Sequence, residues 1–558
     1  MSIIQLHPHL LFTILESLDF QEDLSSAMLA CSHLYKVGVK CMLTHPVTIS
    51  SGWQLVSFCQ FMLSDFSPRL PLFHTLRLRL LPCEAVLNAL TSADTINPMA
   101  DLMDSMSIDD EPAGSNPRTD LGGSVDTEDP QEKHGISMLV HVLERAVGLQ
   151  DLDIDELEPL LFVEPALIQA IASLPSLTCL TTTCYGRRSH ELCSKIRSQE
   201  LRAIDINFWH ESTGPTDDSN IPYDALVALL STYPDLQDVT AKCVTFPMPI
   251  APHSSRSGAA GSSSRNLPFL RWVHTLSLQG ITGLPLIPEL FSVFPNVRNL
   301  TFSCNIPSST THDRLQQLRA LNQGTARWAS LDELAGDLPS LYVLNLHDCR
   351  AARLDIDSPF FTGRDTIDRA SLAHQYGSVL ADTRPTSVRL RWTHDREIPF
   401  GDPWWSFKDI CHATHALGPF ARGVRHLVLD MDVCLAFRTL EIPSVASFPD
   451  LWTLVVRVRT LANTRIDVGP DACTDGHGHV LVLSNRPGMP RTTFGSVVRR
   501  VLQSHQTLRH VALALPSHSG MRHWWKSTEP KVLVQMIPEA LGRDMLDEDG
   551  FGDVDAFQ

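Results

Sequence analysis

One apolar pattern recurs eleven times along the 558-residue chain: an apolar residue, two variable positions, an apolar residue, one variable position, and a third apolar or small residue. The copies are Phe73-Leu76-Leu78, Leu149-Leu152-Ile154, Leu177-Leu180-Thr182, Leu201-Ile204-Ile206, Leu236-Val239-Ala241 and Val273-Leu276-Leu278. They continue as Val297-Leu300-Phe302, Leu341-Leu344-Leu346, Val424-Leu427-Leu429, Leu451-Leu454-Val456 and Leu508-Val511-Leu513. Pro stands two residues ahead of the copy at Pro175, Pro234, Pro295, Pro339 and Pro449. Apolar residues two apart share one face of a strand. Each copy therefore predicts a short strand with one apolar edge, and a chain that repeats it predicts stacked, equivalent strands.

The spacing sets the fold class. Leu149 to Leu177 is 28 residues, Leu177 to Leu201 is 24, Val273 to Val297 is 24 and Val424 to Leu451 is 27. These distances lie in the roughly 20–29-residue range of leucine-rich repeats. Amphipathic stretches lie between copies at 137–146, 165–173, 223–232, 288–294 and 494–504. Strand then helix, repeated, predicts an irregular α/β solenoid with a parallel sheet on its concave face and helices on its convex face. The inward Leu152, Leu180, Leu276, Leu300, Leu344 and Leu427 are expected to form one ladder.

Charge marks the interruptions. The chain carries a formal net charge of −18 with a pI near 5.7. Residues 94–133 hold 11 acidic and 2 basic side chains, and residues 541–558 hold 6 acidic and one basic. The body is therefore nearly neutral, and it lacks the basic stripe of a nucleic-acid binder. The expected organisation is a helical module over 1–48, a connecting helix and first repeat over 49–91, and an acidic disordered insertion over 92–135. The repeat array follows over 136–515, interrupted by a Ser/Gly segment at 251–266. A cap and acidic tail complete it over 516–558. Thirteen cysteines include no C-x-x-C pair and read as reduced core thiols. No Lys or Arg precedes Glu16, and no apolar run reaches about 18 residues, so neither a signal peptide nor a membrane span is expected. The expected location is intracellular, cytoplasm or nucleus.

The N-terminal helices have their own pattern. Leu10, Leu11, Ile14, Leu15 and Leu18 share one helical face, with Pro8 in the first turn. Leu24, Met28, Cys31 and Leu34 lie along a second helix that opens near Asp23. A unit this small buries little surface alone. It is expected either to cap the array or to bind a partner.

The segment LHPHLLFTILESLDFQEDLSSAMLACSHLYKVGVKCML resembles the F-box motif, and the order of this motif and the repeats resembles fungal F-box-like proteins. Here His7 stands where the family's Pro is usual, and His9 where its Glu is usual. The resemblance implies that Pro8, Leu10, Leu11, Ile14, Leu15, Leu18, Leu24, Met28, Cys31 and Leu34 bind a Skp-type adaptor. It further implies a cullin–RING ubiquitin ligase of the SCF type, in which the repeats hold an unknown protein substrate.

Alternation in the strands also selects an outward set. In the early repeats it contains Arg77, Arg79, Asp153, Asp155, Asp205 and Asn207. Later it contains Gln279, Asn345, His347, Arg389, Arg391, Arg457 and Arg459, with Asp430 between. This set predicts a target-binding face that runs from acidic to basic. No G-x-S-x-G, H-E-x-x-H, P-loop or G-x-G-x-x-G occurs. Cys473, His477 and His479 lack a second ligand pair and read as a loop. The chain is therefore expected to be a non-enzyme with no cofactor or metal and with neither nucleic acid nor membrane as partner. A plain scaffold capped by its N-terminal helices, and an enzyme with a site near 355–405, are the competing readings.

Overall fold

The computed structural model describes residues 7–18, 21–64, 69–80, 130–208, 221–246, 268–283, 286–306, 310–323, 327–357, 369–392, 420–432, 448–459, 502, 505, 507–514, 522–528 and 533–537. Most of the acidic insertion, the Ser/Gly segment and the tail lie outside these residues. The chain divides into two units, 1–245 with 260–273, and 246–259 with 274–558.

The first unit opens with three helices, α1 (Pro8–Glu16), α2 (Gln21–Ala30) and α3 (Ser32–Thr44). Strand β1 (Val47–Ile49) follows at once and pairs in parallel with β2 (Thr75–Leu78). The sheet thus begins within the stretch expected to be all-helical, one strand ahead of the first motif copy. Between them lies α4 (Gly52–Leu63), capped by the Ser51 hydroxyl, with Gln54 accepting from the Ser50 N–H at 2.8 Å. Helix α5 (Pro130–Leu143) starts inside the expected insertion. The reason is packing: a Cβ on Gly135 would lie 3.1 Å from Leu55 of α4, so the two helices meet there without a side chain between.

Strands β3 (Asp151–Ile154), β4 (Cys179–Thr182), β5 (Ala203–Asn207) and β6 (Asp238–Lys242) continue in parallel. They alternate with α6 (Leu157–Val163), α7 (Ala166–Ala172), α8 (Arg187–Lys195) and α9 (Tyr223–Leu230). The register aligns Leu76, Leu152, Leu180, Ile204 and Val239 in one row. Every member of that row is buried. Fully burying one such aliphatic side chain stabilises by about 1.5–3 kcal/mol.

The second unit holds eight parallel strands: β7 (Thr275–Ile281), β8 (Asn299–Cys304), β9 (Ser330–Asp337), β10 (Arg350–Asp357), β11 (Ser387–Trp392), β12 (His426–Asp432), β13 (Thr453–Arg459) and β14 (His510–Ala514). Helices α10 (Ile287–Val293), α11 (His312–Leu321), α12 (Leu338–Leu344) and α13 (Arg369–Thr383) lie among them. Then β15 (Arg522–Thr528) adds antiparallel to β14, and β16 (Leu533–Ile537) adds antiparallel to β15.

A backbone signature confirms that the strands are equivalent units. The residue just before a strand lends one carbonyl to two successive N–H groups of the next repeat. His74 O accepts from Gln150 and Asp151, and Gln150 O accepts from Thr178 and Cys179. In the second unit Thr386 O, Arg425 O and Trp452 O each do the same. Both units are therefore repeat-like and solenoid-like in their local order.

One motif copy is not a strand. Leu341 and Leu344 lie in α12, and the ladder position expected for Leu344 belongs to Leu334 of β9. Asp337 caps the helix, accepting from the Ser340 N–H at 2.9 Å, and Pro339 fits its first turn. Asn345 ends it in the left-handed conformation (φ 51°). Strands β9 and β10 were hidden because small residues fill their apolar slots, Gly336 and Ala351. A Cβ on Gly336 would collide with the Phe302 carbonyl and lie 3.2 Å from Leu341, so the sheet and α12 meet closely there. Among the described residues, no helix is long and apolar enough to cross a membrane.

Candidate functional site

Two surfaces carry the residues singled out from the sequence, and the structure sorts each of them. In the N-terminal helices the apolar stripe splits. Leu11, Leu15, Leu24 and Met28 are buried and form the small core between α1, α2 and α3. Gly38 makes that core possible, because a Cβ there would collide with Met28. Cys31 caps α3, its Sγ accepting from the Leu34 N–H at 3.5 Å. Cys31, Leu34 and Leu18 are half-buried, and Pro8 occupies the first turn of α1.

Leu10 and Ile14 point the other way. They are 55% and 50% exposed, four residues apart on one face of α1. Leu29 of α2 is 87% exposed and was not among the expected contacts. Its signal is legible in hindsight: it is an apolar residue standing off the Leu24–Met28 stripe. The part of the module open to a partner is thus a minority of the expected set.

On the strand face of the first unit, Arg79 bridges two carboxylates. Its Nη1 lies 2.8 Å from Asp153 Oδ1 and 2.8 Å from Asp155 Oδ1. Burial raises the Asp155 carboxyl against the pull of Arg79, and raises Asp205 against the pull of Lys242. Arg77 is exposed and stands in register with Asp153. Asn207 ends β5, half-buried.

The strand face of the second unit differs from the expected gradient. Acid and base alternate between neighbouring strands: Asp355 and Asp357 on β10, Arg389 and Arg391 on β11, Asp430 on β12, Arg457 on β13. Arg389 Nε donates to Asp430 Oδ2 at 2.7 Å, and its Nη1 lies 3.5 Å from Asp355. Arg391 Nε donates to Asp355 Oδ1 at 2.9 Å and lies 3.3 Å from Asp357. Arg457 reaches Asp430 at 3.9 Å. Asp355, Arg389 and Asp430 are buried. Burial opposes the charge of Arg391, but the hydrogen bond and charge of Asp355, with Asp357 and Asp430, outweigh it and raise its pKa.

This ladder ties β10, β11 and β12 together by charge-assisted hydrogen bonds, and Arg457 of β13 joins it as a longer ion pair. Asp355, Arg389 and Asp430 are withdrawn from solvent in these pairs, while Arg391 and Asp357 keep partly exposed side chains. In this unit the face pairs acid with base across neighbouring strands, where the sequence suggested a gradient from acidic to basic. Asn345 and His347 leave the face altogether. The Asn345 amide donates to the Arg319 carbonyl at 3.2 Å, and His347 is exposed beyond α12, 3.5 Å from Asp382. Gln279 is half-buried and donates to Ser277 at 3.0 Å. Arg459 lies in β13, in register with Asp432.

The described cysteines carry free thiols. Burial pushes Cys59, Cys193 and Cys349 up to about 12, which keeps them protonated core residues. Among the described residues no three His, Cys, Asp or Glu are placed to hold a metal ion. Fold and surfaces together define a repeat-like α/β protein with a small N-terminal helical module. No family model matches the chain, and no curated protein matches it.

Proposed function

We propose that the chain is a leucine-rich-repeat recognition protein. On this reading it serves as the substrate-recognition subunit of an SCF-type cullin–RING ubiquitin ligase. The N-terminal helices bind a Skp-type adaptor, the repeats hold a protein target, and the ligase partners supply the chemistry. One observation carries the reading: a module with its own core of Leu11, Leu15, Leu24 and Met28 still exposes Leu10, Ile14 and Leu29. Exposed apolar residues four apart on a helix suit helix-in-groove recognition.

The test is co-purification of adaptor and cullin with the intact chain and with Leu10→Ala/Ile14→Ala. Those two truncations remove roughly 3 kcal/mol of contact, on the order of a hundredfold in affinity. The adaptor should be lost while the melting temperature holds. Leu11→Ala/Leu15→Ala is the wrong variant for this purpose, because it hollows the module's core at a cost of about 2–5 kcal/mol per site. Failure of the intact chain to retain any adaptor ends the ligase reading.

A second reading has its own support. Helix α3 runs directly into β1, which pairs with β2. This favours a plain scaffold in which the helices only cap the array, and it takes over if no adaptor binds.

A further inference from the structure

Arg389, Arg391 and Arg457 on the strand face of the second unit are held by carboxylates, but two arginines at the sheet's edge are not. Arg425, Trp452 and Arg509 stand one residue ahead of β12, β13 and β14. They are neighbours across the sheet: the Trp452 N–H donates to Arg425 O at 2.8 Å, and the Arg509 N–H to Trp452 O at 2.8 Å. One guanidinium from each neighbouring strand approaches the half-buried indole, Arg425 at 4.5 Å from the ring centroid and Arg509 at 4.9 Å. Both arginines are exposed, and neither has an ion-pair partner among the described residues. Arg422 is exposed close by. The acid of the adjoining turn, Asp450, accepts from the Gly423 N–H at 2.9 Å. A guanidinium stacked on an indole keeps its N–H edges available for carboxylates. The edge is thus a rigid basic and aromatic platform for an acidic, aromatic-bearing peptide.

The same unit supplies such a peptide. Residues 541–558 carry Asp544, Asp547, Glu548, Asp549, Asp553 and Asp555 against one Arg543, interleaved with Phe551 and Phe557. Their attachment point is close. Strand β16 ends at Ile537, which is level with Trp524 of β15 and, through it, with Ala512 of β14. Two strand spacings and three residues along the strand separate Ile537 from Arg509, about 14 Å. The seven residues from Ile537 to Asp544 can span about 23 Å. A chain of that length is long enough to bring the first acids of 541–558 to Arg509 and the later ones to Arg425.

We propose that segment 541–558 docks in cis on the Arg425–Trp452–Arg509 edge and shields it from acidic segments of other proteins. The tail contains one tryptic site, after Arg543. The experiment measures its cleavage rate in the intact chain, divided by the rate in a synthetic 538–558 peptide under the same conditions. At about 0.1 M salt, where charges act over about 10 Å, the intact chain should be cut at least tenfold more slowly than the peptide. At about 1 M salt, where that reach falls to about 3 Å, the ratio should approach one. Arg425→Glu/Arg509→Glu should abolish protection at the lower salt. So should Asp547→Asn/Glu548→Gln/Asp549→Asn, which leaves the folded body untouched and is read against its own peptide. Equal cleavage of chain and peptide at the lower salt overturns the proposal. Protection that survives both sets of substitutions does so too, because the tail is then held elsewhere.

Discussion

At Asp430 the cost of a single charge becomes specific. Its carboxylate is fully buried and accepts from Arg389, itself buried. Removing one member of a buried pair strands the other charge away from water, which costs about 3–5 kcal/mol, whereas replacing both by apolar groups of similar volume is often neutral. Asp430→Ala should therefore destabilise the protein by about that amount in urea unfolding. Arg389→Met/Asp430→Leu should recover most of the loss. If the single variant unfolds at the same urea concentration as the parent, the ladder contributes nothing to stability. Alternation in the sequence identified Arg389, Arg391 and Arg457 as one face. It could not identify their partners, because which aspartate faces which arginine is set by strand register across 27 to 41 residues.

Among the elements, β9 and α12 separate what local pattern can and cannot decide. Leu341-Leu344-Leu346 satisfies the repeat pattern, yet the Asp337 cap and Pro339 start a helix there. Leu331-Leu334-Gly336 satisfies it poorly, yet forms the strand, since Gly336 lets β8 and α12 approach. Leu334 is buried in the row that joins Leu300 to Leu354. Leu334→Asp places an unpaired charge in that row and should destabilise by several kcal/mol. Strand neighbours carry the damage in a repeat array, so hydrogen exchange should speed first in β8 and β10. Unchanged protection in those two strands contradicts the assigned register.

Over the whole molecule, pH acts through a set of half-buried and buried acids. Burial raises the carboxyls of Asp155, Asp205, Glu333, Asp337 and Asp357 above their ordinary values of 3.8 and 4.5. Nearby Arg79, Lys242, Arg353 and Arg391 oppose the rise at four of them, and hydrogen bonds from Ser340 oppose it at Asp337. A group that holds its proton more tightly when folded stabilises most below its unfolded pKa. That contribution is lost as pH rises through the folded value. The melting temperature should therefore rise as pH is lowered toward the ordinary carboxyl values of these groups. A maximum at pH 8 would show that the ion pairs, not the burial of these acids, dominate the pH response.

Ten of the eleven motif copies lie on strands, and four of the five amphipathic stretches lie on helices, because a strand or helix that buries one face must repeat apolar residues at its own period. The fifth stretch, 494–504, lies outside the described residues apart from Leu502, which is helical. The helices of the N-terminal module and their apolar faces were legible for the same reason. Which of its leucines stay outside was not. Leu10, Leu11, Ile14 and Leu15 look alike in a helical projection, and only the packing of α2 and α3 buries one pair and leaves the other. The strand face divided in the same way. Chemistry and alternation are local and can be read along the chain, whereas burial, pairing and register depend on segments far apart in sequence. In the second unit that register pairs Arg389 and Arg391 with Asp430 and Asp355 on neighbouring strands.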